Sequence, residues 1–210
     1  MENDLNNYCV SHSKPPSSLA KELETYTRAA IPGSRMLIGE LEASLLAVLI
    51  QAGGVKDVLE LGTFTGYSAL CMAEQLPADG TVTTVDINTG TTAIGQSYWD
   101  RSPHGAKITA ILRPGVDYLP MIERSFDLIF IDADKVNYPF YVSWAKEHLR
   151  PRGMLIIDNA LWNGKVTDPN PDAHTKAIQE ANRIVASWEG WITSLLPIRD
   201  GMMLVTRAQN

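Results

Sequence analysis

From Asp57 onward the sequence alternates short runs of Ile, Val and Leu with stretches of helical spacing, and few folds accommodate that order. Strand-like runs fall at 57–61, 81–85, 107–112, 126–131 and 153–157. Helical stretches separate them at 68–75, 91–101, 115–122 and 136–149. Strands without polar alternation are buried on both faces, and a helix between each consecutive pair returns the chain to the same edge. The pattern therefore predicts a parallel sheet covered on both sides. After a polar loop (163–172) and one more helix, runs 191–196 and 202–206 flank Arg199-Asp200-Gly201. That pair predicts a hairpin, so the sheet ends with an antiparallel strand. The expected fold class is α/β, a doubly wound sheet with N-terminal helices.

Upstream of Asp57 the texture differs. Residues 1–15 are polar, run into Pro15-Pro16 and read as a loose arm. Leu19, Leu23, Tyr26 and Ala30 recur at helical spacing over Ser17–Ala30, which Pro32-Gly33 terminates. Leu41, Leu45, Val48 and Leu49 mark one face of a second helix over Ile38–Ala52, stopped by Gly53-Gly54. The expected organisation is a single domain of residues 1–210, with 1–54 the arm and helical extension and 55–210 the α/β core.

Composition narrows the function classes. At 45% hydrophobic residues the chain is not disordered, and a net charge of −6 argues against nucleic-acid and anionic-membrane partners. No apolar run approaches the 18 residues of a membrane span. The acidic start, Met1-Glu2-Asn3-Asp4, lacks the apolar region of a secretory signal. Two cysteines, Cys9 and Cys71, make no disulfide framework. A cytoplasmic protein is expected.

In open α/β sheets ligands bind beyond the carboxyl ends of the strands. The first strand ends Glu60-Leu-Gly62-Thr63-Phe64-Thr-Gly66-Tyr-Ser68. Gly62 and Gly66 would let backbone approach a ligand. Their spacing is not the dinucleotide fingerprint, however, and Thr63 and Phe64 stand where a pyrophosphate needs bare backbone. Glu60, in an otherwise apolar strand end, calls for a compensating positive group. Asp86 ends the second strand and suits both hydroxyls of a ribose. A ribose with an ammonium-bearing tail and no phosphate describes S-adenosylmethionine. Pro114-Gly115, after the third strand, falls where a loop would close over an adenine. Alternatively, Gly62 and Gly66 are plain turn residues and Asp86 a solvated strand end.

The fourth and fifth strands end in Asp132-Ala-Asp134-Lys135 and Asp158-Asn159. Asp132, Asp158 and Asn159 offer oxygen and neither sulfur nor imidazole, a set suited to Mg²⁺ and also to Mn²⁺ or Ca²⁺. The four histidines show no ligand spacing. Such a cation would chelate an acceptor with two neighbouring oxygens and ease loss of a hydroxyl proton. Lys135 would act there as general base or only orient an oxyanion. Trp162 and Tyr138 would flank an aromatic ring or simply pack in the core. The competing reading makes Asp132 and Asp158 helix caps.

These segments together resemble the cation-dependent O-methyltransferases, the group containing catechol and caffeoyl-coenzyme A O-methyltransferases. The resemblance rests on 58–70 (VLELGTFTGYSAL), 132–138 (DADKVNY), 158–166 (DNALWNGKV) and 196–201 (LPIRDG), and spans residue 36 to the C-terminus. It implies a seven-stranded Rossmann-like methyltransferase sheet with an antiparallel last strand, and a homodimer. It implies cofactor contacts from Met36, Glu60, Gly62, Thr63, Ser68, Asp86, Pro114, Gly115, Asp132 and Asp134. A divalent cation would sit on Asp132, Asp158 and Asn159, with Lys135 and Asp132 catalytic and Asp134, Lys135 and Trp162 near a small aromatic acceptor. The chain departs from the family after Met36, reading Leu37 and Glu42-Ala43 where a Gln and a Gln-Gly pair are usual. Acceptor identity is therefore the least constrained property. A non-catechol hydroxyl or an amine is the alternative acceptor, and a nicotinamide-dependent oxidoreductase or a non-catalytic binding protein the competing class.

Overall fold

The structure, a computed structural model, describes residues 2–209. Met1 and Asn210, the ends of the expected domain, lie outside them. The chain forms two compact units interleaved in sequence. One takes the N-terminal residues through Lys56 with 63–82 and 88–110, the other 57–62, 83–87 and 111 onward.

The first unit holds helices α1 (Glu2–Ser11), α2 (Ser18–Ala30), α3 (Glu40–Gly53), α4 (Tyr67–Ala73) and α5 (Thr89–Trp99). The expected loose arm is thus corrected to a helix. Residues 2–11 contain neither Gly nor Pro, and local bonds close the helix end. The Ser11 hydroxyl donates to the Tyr8 carbonyl (2.9 Å), that of Ser13 to the Cys9 carbonyl (2.8 Å), and the Tyr8 ring stacks on His12. Ser17 caps α2 by accepting the Ala20 N–H at 3.1 Å.

Two helix faces are rotated from expectation. Helix α2 buries Ala20, Leu23 and Thr27, leaving Tyr26 exposed, because the Thr27 hydroxyl donates to that of Thr65 at 2.9 Å. Helix α3 buries Glu42, Ala43, Leu46 and Ile50 and exposes Val48. It is apolar nearly all round, so periodicity alone does not choose its inward face. Contrary to expectation, one stretch, Ser34–Gly53, is long and apolar enough by length and composition to cross a membrane. The α-helix within it has 14 residues. That is about 21 Å at 1.5 Å per residue, short of the ~30 Å hydrocarbon core.

Helix α5 packs closely on the turn before α4. A Cβ on Gly66 (φ +75°) would lie 2.3 Å from the Trp99 ring, and one on Gly95 would lie 2.9 Å from the Thr65 carbonyl. The indole N–H of Trp99 donates to the Gly66 carbonyl at 3.0 Å. Gly66 therefore admits the Trp99 ring.

The strands are β1 (Asp57–Leu61), β2 (Thr81–Asp86), β3 (Ile108–Leu112), β4 (Phe126–Ile131), β5 (Leu149–Ile157), β6 (Trp191–Leu196) and β7 (Met202–Arg207). They form one seven-stranded sheet in the order β3-β2-β1-β4-β5-β7-β6. β4 runs parallel to β1 and β5, with Leu59 opposite Ile129 and Ile129 opposite Leu155. β7 is antiparallel to both β5 and β6. It inserts between them, so the sheet's edge is β6 and not the last strand of the chain. β5 begins four residues before the expected 153, because Leu149 already pairs with Phe126 across an irregularity.

The second unit adds α6 (Gly115–Tyr118), α7 (Tyr138–His148) and α8 (Ala173–Ala186). Leu59, Leu61, Ile129, Ile131, Leu155 and Ile157 share one sheet face through the period of two. They bury against Tyr141, Val142 and Ala145 of α7 and Ile178, Ala181 and Val185 of α8. Each Leu or Ile so buried contributes about 1.5–3 kcal/mol. Strand order turns back between β1 and β4, which makes the carboxyl ends of those two strands the expected crevice.

Candidate active site

Strand pairing continues one residue beyond the sheet and sets the key side chains side by side. The Asp132 N–H donates to the Leu61 carbonyl at 2.8 Å, and the Asp158 N–H to the Ile131 carbonyl at 3.0 Å. Gly62 (φ +102°) lies against this ladder, and a Cβ there would sit 1.9 Å from the Asp132 carbonyl oxygen. Its missing side chain thus makes room for Asp132 itself.

Lys135 Nζ donates to Asp132 Oδ1 at 2.9 Å and to the Tyr138 hydroxyl at 2.7 Å. The same hydroxyl donates to the Asp158 carbonyl at 3.3 Å. Tyr138 is fully buried and so does not flank an acceptor ring, as sequence had suggested. It ties the lysine to the end of β5. Asp158 is buried, and its Oδ1 accepts the Asn159 N–H at 2.7 Å. Burial pushes the Asp132 carboxyl above the ordinary carboxylate range; Lys135 and Arg199 oppose this, and Asp200 adds to it. Burial, reinforced by the charges of Asp132, Asp158 and Asp134, raises the Tyr138 phenol. A second, more exposed chain starts at Asp134. Its carboxylate accepts the Tyr141 hydroxyl at 2.5 Å, and Asn137 bonds its other oxygen. A Cβ on Gly115 would lie 3.0 Å from that hydroxyl, so Pro114-Gly115 and Asp134 meet across Tyr141.

The other foreseen residues divide between the units. Glu60, fully buried, accepts the Thr84 hydroxyl at 2.5 Å, and Asp86 Oδ1 accepts the Ile87 N–H at 2.7 Å. Met36, Thr63 and Ser68 belong to the first unit. Met36 is exposed at the end of a 3₁₀ turn, while Thr63 is buried in the turn after β1 and Ser68 in the first turn of α4. The departures after Met36 have structural roles. Leu37 is buried, and Glu42 caps α3 by accepting the Gly39 N–H at 2.5 Å.

Sequence reasoning missed the hairpin turn's hold on the loop after β5. The Leu161 N–H donates to the Asp200 carbonyl and the Ala160 N–H to that of Gly201, both at 2.9 Å. Asn159 Nδ2 donates to Asp200 Oδ2 at 3.3 Å, and the Asn163 N–H bonds Oδ1. The signal was the Asp-Gly pair: Gly201 has φ +90°, and a Cβ there would strike Leu161. Trp162, within this loop, packs on the core with its indole N–H buried and lacking a partner among the described residues.

No three His, Cys, Asp or Glu side chains gather to hold a metal among the described residues. The donor set at the strand ends is instead two carboxylates and an amide. Asn159 commits its amide nitrogen to Asp200, which leaves its oxygen as the available donor. This chemistry fits a hard divalent cation.

The sequence matches the O-methyltransferase family model over residues 10–208. The chain belongs to the O-methyltransferase family. It is 33% identical to caffeoyl-CoA O-methyltransferase 2 of Zea mays over 222 residues, covering 98% of this chain and 83% of that one. It is 32% identical to mouse catechol O-methyltransferase domain-containing protein 1, with 97% and 79% covered. The Bacillus cereus O-methyltransferase, solved in complex with S-adenosylhomocysteine, superposes with a TM-score of 0.86 at 28% identity and covers 97% of both chains. The protein is an S-adenosylmethionine-dependent O-methyltransferase, which removes the nicotinamide and non-catalytic readings.

Proposed function

We propose that this O-methyltransferase methylates one hydroxyl of a vicinal dihydroxy aromatic acceptor and depends on a divalent cation, with Mg²⁺ the best match. The observation that carries this reading is the convergence of Asp132, Asp158 and Asn159 at the ends of adjacent strands, with Lys135 Nζ 2.9 Å from Asp132. The names of the maize and mouse relatives support the same acceptor class.

When bound, S-adenosylmethionine supplies an electrophilic methyl group, and the cation lowers the pKa of a coordinated hydroxyl. The chain's own residues do the rest. Lys135, fixed by Asp132 and Tyr138, stands ready to take the acceptor's proton or hold the resulting negative charge. Asp134, held by Tyr141, orients cofactor and acceptor, and Asp86 receives the ribose hydroxyls. Trp162, half-buried beside Asn159, offers an acceptor an aromatic face. Holding oxygen, methyl carbon and sulfur in line is the main contribution to rate. Cys9 is exposed on α1 and Cys71 buried in α4, with no disulfide joining them, which supports a cytoplasmic location. We infer a homodimer, for which sedimentation should give twice the chain's 23.1 kDa.

Incubation with S-adenosylmethionine, Mg²⁺ and a panel of catechols, read by S-adenosylhomocysteine release, tests the reading. Turnover that vanishes in chelator supports it. Turnover unaffected by chelator removes the cation, and cofactor binding without turnover on any catechol moves the acceptor to another hydroxyl or an amine.

A further inference from the structure

The turn at 196–201 is bonded to the loop that carries Asn159. Asn159, Trp162 and Asn163 have φ of 55°, 48° and 51°, and Arg199 has 46°. Each such left-handed residue costs roughly 1–2 kcal/mol and persists only where its surroundings over-determine it. Here the surroundings include Asp200. One carboxylate oxygen accepts Asn159 Nδ2, the other takes the Asn163 N–H, and its carbonyl takes the Leu161 N–H. An amide flipped at Asn159 would set two oxygens against each other, so Asp200 decides which Asn159 atom is left for a ligand.

We propose that Asp200 is a positioning residue for cation binding, fixing Asn159 with its oxygen available and holding the Trp162 loop in its left-handed form. The inference rests on the cation dependence proposed above. It is specific to Asp200, because the backbone bonds from Ala160 and Leu161 remain in any side-chain variant.

The test is a Mn²⁺ titration by electron paramagnetic resonance on wild type, Asp200→Ala and Asp200→Asn. Calorimetry of S-adenosylhomocysteine binding and thermal melting accompany it. Removing a partner that orients a metal ligand costs about 10–100-fold in metal affinity, so Asp200→Ala should weaken Mn²⁺ by at least about tenfold. S-adenosylhomocysteine affinity should stay within about twofold. Asp200→Asn, which keeps one acceptor oxygen and serves if the alanine variant does not fold, should lose less than Ala but measurably. Unchanged Mn²⁺ affinity in both variants overturns the proposal. So does a parallel loss of Mn²⁺ affinity, S-adenosylhomocysteine affinity and melting temperature, which marks a purely structural turn. Wild type that binds no Mn²⁺ overturns both the cation reading and this one, and is recognised before any variant is examined.

Discussion

Tyr138 is the residue whose chemistry changes most between sequence and structure. Its hydroxyl receives Lys135 Nζ and donates to the Asp158 carbonyl, while its ring fills the core. Tyr138→Phe keeps the ring and deletes only that bridge. A hydrogen bond to a charged group is worth about 1.5–3 kcal/mol. With Lys135 less firmly held, kcat should fall roughly tenfold or more, with S-adenosylmethionine affinity nearly unchanged; an unaltered kcat would show that the lysine needs no such support. Lys135→Met should cost more, about 10²–10⁴-fold in kcat, the range of a lost general base. Gly62→Ala tests packing instead. The new Cβ would meet the Asp132 carbonyl at 1.9 Å in a left-handed backbone. Overpacking and strain together predict a loss of roughly 2–5 kcal/mol, read as a lowered melting temperature. The identities of Asp132, Lys135, Asp158 and Asn159 were legible because strand ends on one edge are dictated by the βα alternation. The partners of Gly62, Gly66 and Tyr138 were not, since a missing Cβ or a phenol serves ligand and neighbour equally well in a one-dimensional pattern.

Among the elements, capping explains why weak helices stand. Helix α5 carries Gly90 and Gly95 and begins without acidic residues, but the Asn88 side chain accepts the Gly90 and Thr91 N–H groups at 3.0 and 3.2 Å. Asn88→Ala should cost about 1 kcal/mol, measurable by denaturant titration. Helix α8 is capped by Asp172, whose carboxylate accepts the Thr175 N–H at 2.7 Å. That bond holds the carboxyl below its ordinary value of 3.8. A depressed folded pKa contributes stability above 3.8 that is lost as pH falls through the lower, folded value. The melting difference between wild type and Asp172→Ala should therefore shrink as the pH drops below 3.8. Apart from α1, helix positions were legible from spacing and stop signals. The inward faces of α2 and α3 were not, because a polar contact (Thr27 to Thr65) decides the first and a nearly all-round apolar surface leaves the second open.

On the scale of the molecule, the alternation of strand and helix was enough to foresee the sheet, and the segment at 196–201 enough to foresee a hairpin. The insertion of β7 between β5 and β6 was not foreseeable from spacing, since a hairpin's second strand pairs as readily at an edge as inside. That insertion has a consequence for biosynthesis. A ribosome delivers Asp132, Lys135, Asp158 and Asn159 well before it delivers residues 202–207, yet the turn that grips the Asn159 loop is closed only when that final strand slides home. Until residues 202–207 emerge, β5 lacks its antiparallel neighbour and the Asn159 loop lacks the closed turn that grips it.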